Sequence, residues 1–454
     1  MKVLDIKDDL KSSIVVFLVA LPLCLGIALA SNAPLASGLI AGIIGGLVIG
    51  FLSDSHISVS GPAAGLTVIV INGIATLGSF ETFGFAVMLA GLFQLVFALL
   101  KGGAIGDYFP TSVIKGMLAA IGLILIIKQF PNAFSAEMWG LNLISLLSLA
   151  IILLWEKLGP KLIPGPLIAV IVSVVLNESF HLVGSEYLVQ LPEKIFTGMK
   201  DVRSLELSFP LISVAFTLAV VASLETLLCT DAADKVDPLK RKTNKNRELL
   251  AQGCGNALSG LFGGLPLTAV IVRTSANINA GAKTKVSTIM HGLWLLLCVM
   301  LIPDILNLIP LATLACILLL TGYKLAKPVY FLEMKRRGRD QLLIFVVTIA
   351  GILLTDLLIG ILIGLLVAVL FELRSPSLSC VEVVEDGKEV HVKFVKNASF
   401  FHKARIHKIL NDIPEDKFVF IHGTQLVRVH VDVHELITEY QNESDRKGRK
   451  VEIK

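Results

Sequence analysis

From residue 13 to residue 372 one apolar stretch follows another, with only short polar connections between them. A backbone inside the ~30 Å of hydrocarbon in a bilayer finds no water, so a spanning segment must satisfy its own N–H and C=O groups. A helix of ~20 mostly apolar residues does this. The pattern predicts an all-α polytopic membrane protein embedded in a lipid bilayer. Hydrophobic residues make up 54% of the 454 and charged residues 17%, a balance that soluble domains do not carry. The net charge of +4 is too small to suggest nucleic acid as a partner.

Roughly fourteen apolar segments can be counted, in two sets of seven at 13–177 and 209–372. Two are too short to cross as regular helices: 62–77, after Ser60-Gly61-Pro62, and 266–276, after Gly263-Gly264-Leu265-Pro266. They rank third and tenth, so each is third in its set. An odd-numbered repeat places its second copy upside down, and short Gly/Pro-interrupted segments at matching positions point to a transporter's midplane binding site. The alternative is a pair of surface re-entrant loops, or core helices counted as spans.

Charge placement supports the count. With residues 1–12 in the cytosol, two basic loops fall on the cytosolic side. One holds Lys235, Lys240, Arg241, Lys242, Lys245 and Arg247; the other holds Lys324, Lys327, Lys335, Arg336, Arg337 and Arg339. Loops 31–34, 78–83 and 304–307, expected outside, contain no Lys or Arg. The first run, preceded by Lys2, Lys7 and Lys11, imitates a secretory signal but is long enough to span, and many spans follow it.

A helix that starts in mid-membrane exposes its first N–H groups and the positive end of its dipole, about half a charge, at low dielectric. That is a seat for an anion. Pro266 tolerates a helix start because its missing N–H would be unpaired there, and Gly264 lets a ligand approach the backbone. Gly61 and Pro62 repeat the arrangement in the other half. Thr67 and Thr268 supply hydroxyls nearby, which either reach the ligand or bond back to their own helix carbonyls. Arg273, about two turns into the short segment, should face a cavity and attract the anion, unless it snorkels or pairs with Glu225.

Glu225, in "VVASLETLLCTDAAD", is an acid well inside an apolar span. It can carry a proton or, with Ser223, Thr226 and carbonyls, hold a cation whose charge offsets the repulsion of an anion close by. The alternative is a structural pair with Arg273. The six cysteines form no CxxC pair and read as small hydrophobes. His430 and His434, in "HVDVH", lack a third ligand, so neither a metal nor any other cofactor is expected. Within the spans no nucleophile with a base appears, which argues against an enzyme and leaves no catalytic residues to name.

After Arg374-Ser375-Pro376 charges become frequent. "EVHVKFV" alternates as a strand does, and "FFHKARIHKILNDI", "KFVFIH", a helix at 432–446 and "KVEIK" follow. Residues 376–454 thus read as a small cytosolic α/β domain attached to a transporter domain at 13–374.

With these residues in view, the chain resembles bacterial members of the SulP (SLC26) family of inorganic anion transporters over nearly its whole length. "NRELLAQGCGNALSGLFGGLPLTAVIVRT" with "NAGAKT" resembles the block of the ninth and tenth spans. "ISVSGPAAGLTV" resembles the opening of the third span, and "VALPLCLGIALA" resembles the first. The resemblance implies seven plus seven inverted spans in core and gate domains, elevator-like movement, and a bacterial inner membrane with both termini cytosolic. It implies an anion held by Ile27, Thr67, Ala269, Val270, Ile271, Val272 and Arg273. Glu225 matches the acidic position that couples a cation, followed here by Thr226 and Cys229.

Many members carry a glutamine where Leu23 stands and polar residues at Ile271 or Val272, so backbone amides must do more here. Sodium-coupled bicarbonate relatives use aspartate and threonine at Glu225 and Cys229, and a thiol is a poor sodium ligand, which favours protons. The tail resembles a shortened STAS domain. Its Asp432 is followed by Val433 and His434, not by a phosphorylatable Ser or Thr, which leaves it a packing or dimer-forming role and a homodimer as the expected assembly. The expected function is secondary active transport of bicarbonate first and sulfate second, coupled to Na+ or H+. A nucleobase or ascorbate carrier of the same fold is the alternative, but it should place a carboxylate on the tenth span, where Arg273 stands. An anion channel is the other.

Overall fold

The computed structural model describes residues 3–160, 163–192, 207–373, 381–387, 389–394, 398, 400–414, 417–423, 429–446 and 450–453. The composition break at Arg374-Ser375-Pro376 lies outside them. By its contacts the chain divides into two compact units, residues 1–103 with 121–326 and residues 104–120 with 327–454.

The chain opens with α1 (Val3–Ala30) and α2 (Leu35–Ile44), which continues through a π-helical turn, Gly45–Ile49, into α3 (Gly50–Leu52). A strand, β1 (Ser60–Pro62), and a 3₁₀ turn lead into α4 (Thr67–Leu77). Then come α5 (Phe80–Leu99), α6 (Thr111–Ala133), α7 (Trp139–Leu158), α8 (Gly165–Phe180), α9 (Phe209–Val236) and α10 (Lys245–Leu261). A second strand, β2 (Leu267–Ala269), precedes α11 (Ile271–Asn279). The remaining helices of this part are α12 (Lys285–Leu301), α13 (Pro303–Leu306), α14 (Leu311–Leu325), α15 (Pro328–Arg337), α16 (Arg339–Leu354) and α17 (Leu357–Leu373). Among the described residues seven helical segments are long and apolar enough to cross a bilayer, and four shorter apolar helices accompany them.

Two expectations need correction. Neither Pro62 nor Pro266 begins a helix: Pro62 ends β1 and Pro266 immediately precedes β2, so each short segment is a strand followed by a helix. Strand pairing gives partners to backbone groups that a bare break would leave unsatisfied in hydrocarbon. Within the second set, residues 245–261, counted among the fourteen apolar segments, form α10, whose buried side carries the polar Glu248, Gln252, Asn256 and Ser259.

In the first unit, small residues bring backbones together. A β-carbon on Gly91 of α5 would collide with the backbone of Gly253 and Ala257 on α10, and one on Gly46 would collide with Gly292 of α12. One end of this unit is strongly polar. Asp9 accepts from the backbone N–H of Lys283 (2.7 Å) and Thr284 (3.0 Å), Lys283 pairs with Asp8 (2.7 Å), and Arg241 donates to the Lys283 carbonyl (2.8 Å). The start of α1 and the basic loop after α9, assigned to one side of the membrane by the charge pattern, therefore both reach the loop after α11.

In the second unit, α16 and α17 pack through Gly360, which leaves room for the backbone of Ile352. The tail forms a four-stranded sheet in the order β3 (Val381–Asp386), β4 (Glu389–Phe394), β5 (Phe418–Gly423) and β6 (Val451–Ile453), antiparallel at β3–β4 and parallel thereafter. The helices α18 (Lys403–Asp412) and α19 (Val431–Arg446) supply Ile406, Leu410, Val433 and Leu436 to a core with Val392, Phe394 and Ile421. Five expected elements are present, β4, α18, β5, α19 and β6. The edge strand β3 was not foreseen, because "VEVVED" is charged and largely exposed. His430 is tied to Gln341 (2.7 Å) and His434 to Thr438 (3.5 Å).

Candidate functional site

The two breaks meet. β1 and β2 pair antiparallel in the register Ser60 with Ala269, Gly61 with Thr268 and Pro62 with Leu267. The pairing continues one step, with the Val270 N–H donating to the Val59 carbonyl (2.9 Å) and the Val59 N–H to Thr274 Oγ1 (3.0 Å). Because the strands are antiparallel and each is followed by its helix, α4 and α11 leave the crossing from opposite ends. Neither helix, nor the 3₁₀ turn before α4, has a side-chain cap. The first N–H groups and positive dipole end of α11 are therefore available to a ligand, while at α4 the 3₁₀ turn already takes the Thr67 N–H, which donates to the Ala64 carbonyl, and leaves the dipole end.

The crossing is held by a polar stripe on α10. Asn256 grips Leu267 as a strand would: its Oδ1 accepts from the Leu267 N–H (2.6 Å) and its Nδ2 donates to the Leu267 carbonyl (3.0 Å) and to Gln94 (2.7 Å). Gln94 in turn donates to Ser223 (3.2 Å), two residues before Glu225 on α9. Gln252 donates to Ser60 of β1 (2.7 Å) and to Glu248 (3.3 Å), which also accepts from Ser53 (2.5 Å). The sequence reading missed Gln94, Glu248, Gln252 and Asn256. The signal was there, in the spacing of Glu248, Gln252, Asn256 and Ser259 at four, four and three residues, which lines one helical face.

Two charged side chains from the second half rest against glycines of the first. Glu225 of α9 lies where a β-carbon on Gly65 would stand 2.6 Å from both carboxylate oxygens. Arg273 of α11 is fully buried, and its guanidinium occupies the space of a missing β-carbon on Gly61. Glycine at 61 and 65 thus seats these two groups. Arg273 Nη2 donates to Cys24 Sγ of α1 (3.3 Å), while Nε and Nη1 find no partner among the described residues. Arg273 forms no ion pair with Glu225, so the expected alternative of a structural pair does not apply.

The other expected residues divide. Ala269 donates its N–H to Thr226 Oγ1 (3.3 Å), which ties β2 to α9, and Thr268 Oγ1 bonds back to the Ala269 carbonyl (3.2 Å). Thr67, at the start of α4, is buried with a hydroxyl that lacks a partner among the described residues, as does one oxygen of Glu225. Ile27 is buried on α1, which packs against β1 and α11, and Cys229 is buried on α9. Val270 is half-buried, and Ile271 and Val272 are exposed at the first turn of α11. Gly264 is fixed by its N–H to the Ser259 carbonyl (2.7 Å).

This assembly offers positive potential from two helix ends and a guanidinium, with one carboxylate at its edge. The description "Sulfate permease family" matches residues 6–140 and 138–348. The chain belongs to the sulfate permease family. Members are membrane anion transporters and not enzymes. The putative sulfate transporter YvdB of Bacillus subtilis is 30% identical over 398 residues, covering 82% of this chain and 74% of the relative. The bicarbonate transporter BicA of Picosynechococcus is 26% identical over 360 residues, 70% of this chain and 61% of that protein. The solved transmembrane domain of a cyanobacterial BicA superposes with a TM-score of 0.67 at 26% identity, covering 81% of this chain and 98% of that one. SLC26A9 superposes with a TM-score of 0.72 over 100% of this chain and 85% of its own, and at 17% identity shares the fold.

Proposed function

We propose that this chain is a secondary active transporter of a small inorganic anion, bicarbonate before sulfate, driven by Na+ or H+ through Glu225. Its helices form fourteen spans in two inverted sets of seven, and the 376–454 tail is a shortened STAS-like domain. The protein sits in the bacterial inner membrane with both termini cytosolic and works as a homodimer. The core carrying β1 and β2 moves as an elevator against the rest.

The observation that carries this reading is the strand crossing from which two uncapped helices depart, with Arg273 behind it and Glu225 beside it. An anion at the crossing is bound by the amides at the start of α11 and the dipole end of α4, with Ile27, Thr67, Thr268, Ala269, Val270, Ile271 and Val272 around it and Arg273 behind. A cation or proton at Glu225, near Thr226 and Cys229, offsets the carboxylate, so that anion and coupling ion bind best together. The apolar Ile271 and Val272, with Arg273 as the one buried arginine among the described residues, suit a monoanion better than a dianion.

Uptake of labelled bicarbonate and sulfate into proteoliposomes under imposed Na+ or H+ gradients tests this, with Glu225→Gln beside the parent. The parent accumulates anion against its gradient and the variant does not. Undiminished accumulation in the variant would remove Glu225 from the mechanism.

A further inference from the structure

Arg273 is held by a single side chain, the thiol of Cys24 (3.3 Å), and forms no ion pair among the described residues. Sulfur is a weak acceptor and a neutral thiol carries no charge to cancel. A buried guanidinium normally recruits a carboxylate, since breaking or omitting the pair leaves an uncompensated charge at high cost. Here the fold instead builds a pocket for sulfur. Gly42 of α2 leaves room where its β-carbon would stand 2.6 Å from Cys24 Sγ, and Gly38 gives the Cys24 backbone the same clearance. Gly61 clears the other side of the guanidinium. Three glycines on two elements thus shape the meeting of Arg273 with Cys24.

We propose that Cys24 is the charge-setting residue of the anion site: it anchors the Arg273 guanidinium behind β1 through a neutral sulfur, so that the full positive charge is spent on the transported anion. Cys24 is a positioning residue, acting through Arg273 without touching the anion. This inference rests on the transport reading above. It follows that a neutral acceptor of similar size should serve as well as the thiol. An acid at this position would form a buried ion pair and silence the arginine.

The test is the concentration dependence of labelled bicarbonate and sulfate uptake into proteoliposomes for the parent, Cys24→Ser, Cys24→Asn and Cys24→Asp. The two neutral variants are expected to keep the half-saturating concentration within about threefold. Cys24→Asp is expected to raise it about tenfold or more for both anions, a figure set by the electrostatics of a close buried pair. Equal values for Cys24→Asp and Cys24→Asn overturn the proposal. So does a tenfold rise in Cys24→Asn, which decides the matter even if Cys24→Asp does not fold. Parent protein that transports neither anion condemns the function proposed above instead.

Discussion

Glu225 and Gly65 share one space: the carboxylate of α9 fills the place where a side chain at 65 would begin, 2.6 Å from either oxygen. The acid is therefore located by an absence on the opposite half of the molecule. Gly65→Ala should push the carboxylate away from the crossing while leaving the helices intact, at a cost of about 1–3 kcal/mol for overpacking. Gradient-driven accumulation should fall at least tenfold, and thermal unfolding of the purified protein should shift by only a few degrees. Normal accumulation in Gly65→Ala would show that the position of Glu225 is immaterial.

Arg273 and Gly61 stand in the same relation, and here charge and shape can be separated. Arg273→Lys keeps the charge but loses the planar fork that passes Gly61 to reach Cys24. Arg273→Ala loses both. Uptake kinetics should rank the half-saturating concentration as parent below lysine below alanine, with alanine at least tenfold above the parent. Equal values for lysine and alanine would mean that geometry alone matters.

Asn256 gives the cleanest structural test. The oxygen and the nitrogen of its side-chain amide both serve the backbone of Leu267, a buried residue of β2 whose partner on β1 is Pro62, a residue with no N–H to give. Asn256→Ala leaves a buried N–H and C=O unpaired, at about 1–3 kcal/mol. Asn256→Asp keeps the acceptor for the N–H but gives up the donor to the carbonyl. Both should lower the unfolding temperature and abolish uptake. A stable Asn256→Ala protein with parental transport would show that β1 alone holds β2.

Much of this was legible in the sequence. The breaks at Ser60-Gly61-Pro62 and Gly263-Gly264-Leu265-Pro266 were visible because glycine and proline interrupt an otherwise continuous apolar pattern. Arg273 and Glu225 were visible because ionised groups are rare in spans. The strands themselves were hidden: three residues show no period of two, and their partner lies about two hundred residues away in the chain. The glycine clearances were hidden too, since Gly61 and Gly65 matter through Arg273 and Glu225, which only the fold brings near. Cys24 read as a small hydrophobe because a buried thiol is usually that. The stripe on α10 was masked by the leucines and alanines between its members.

Asp237, at the end of α9 and outside the membrane-spanning segments, supplies a pH test of the polar end of the first unit. Burial raises its pKa, but the hydrogen bonds from Arg241 Nε (2.7 Å), Arg241 N (3.1 Å) and Leu239 N (3.0 Å) outweigh it, and the carboxyl is held below its ordinary value of 3.8. A carboxylate with a lowered pKa binds protons more weakly in the folded state than in the unfolded one. Its stabilisation is therefore complete above the ordinary value and is lost as pH falls through the lowered one. Arg241 also donates to the Lys283 carbonyl, so loss of Asp237 should loosen the contact between the loops after α9 and α11. Asp237→Asn should unfold at a lower temperature than the parent at pH 7. The gap should narrow below about pH 4 and close once the parent's carboxyl is also neutral. Thermal unfolding of detergent-solubilised parent and variant from pH 7 down to the acid limit of the protein measures this, and a gap that stays constant across that range would show that the ionised carboxylate contributes nothing there.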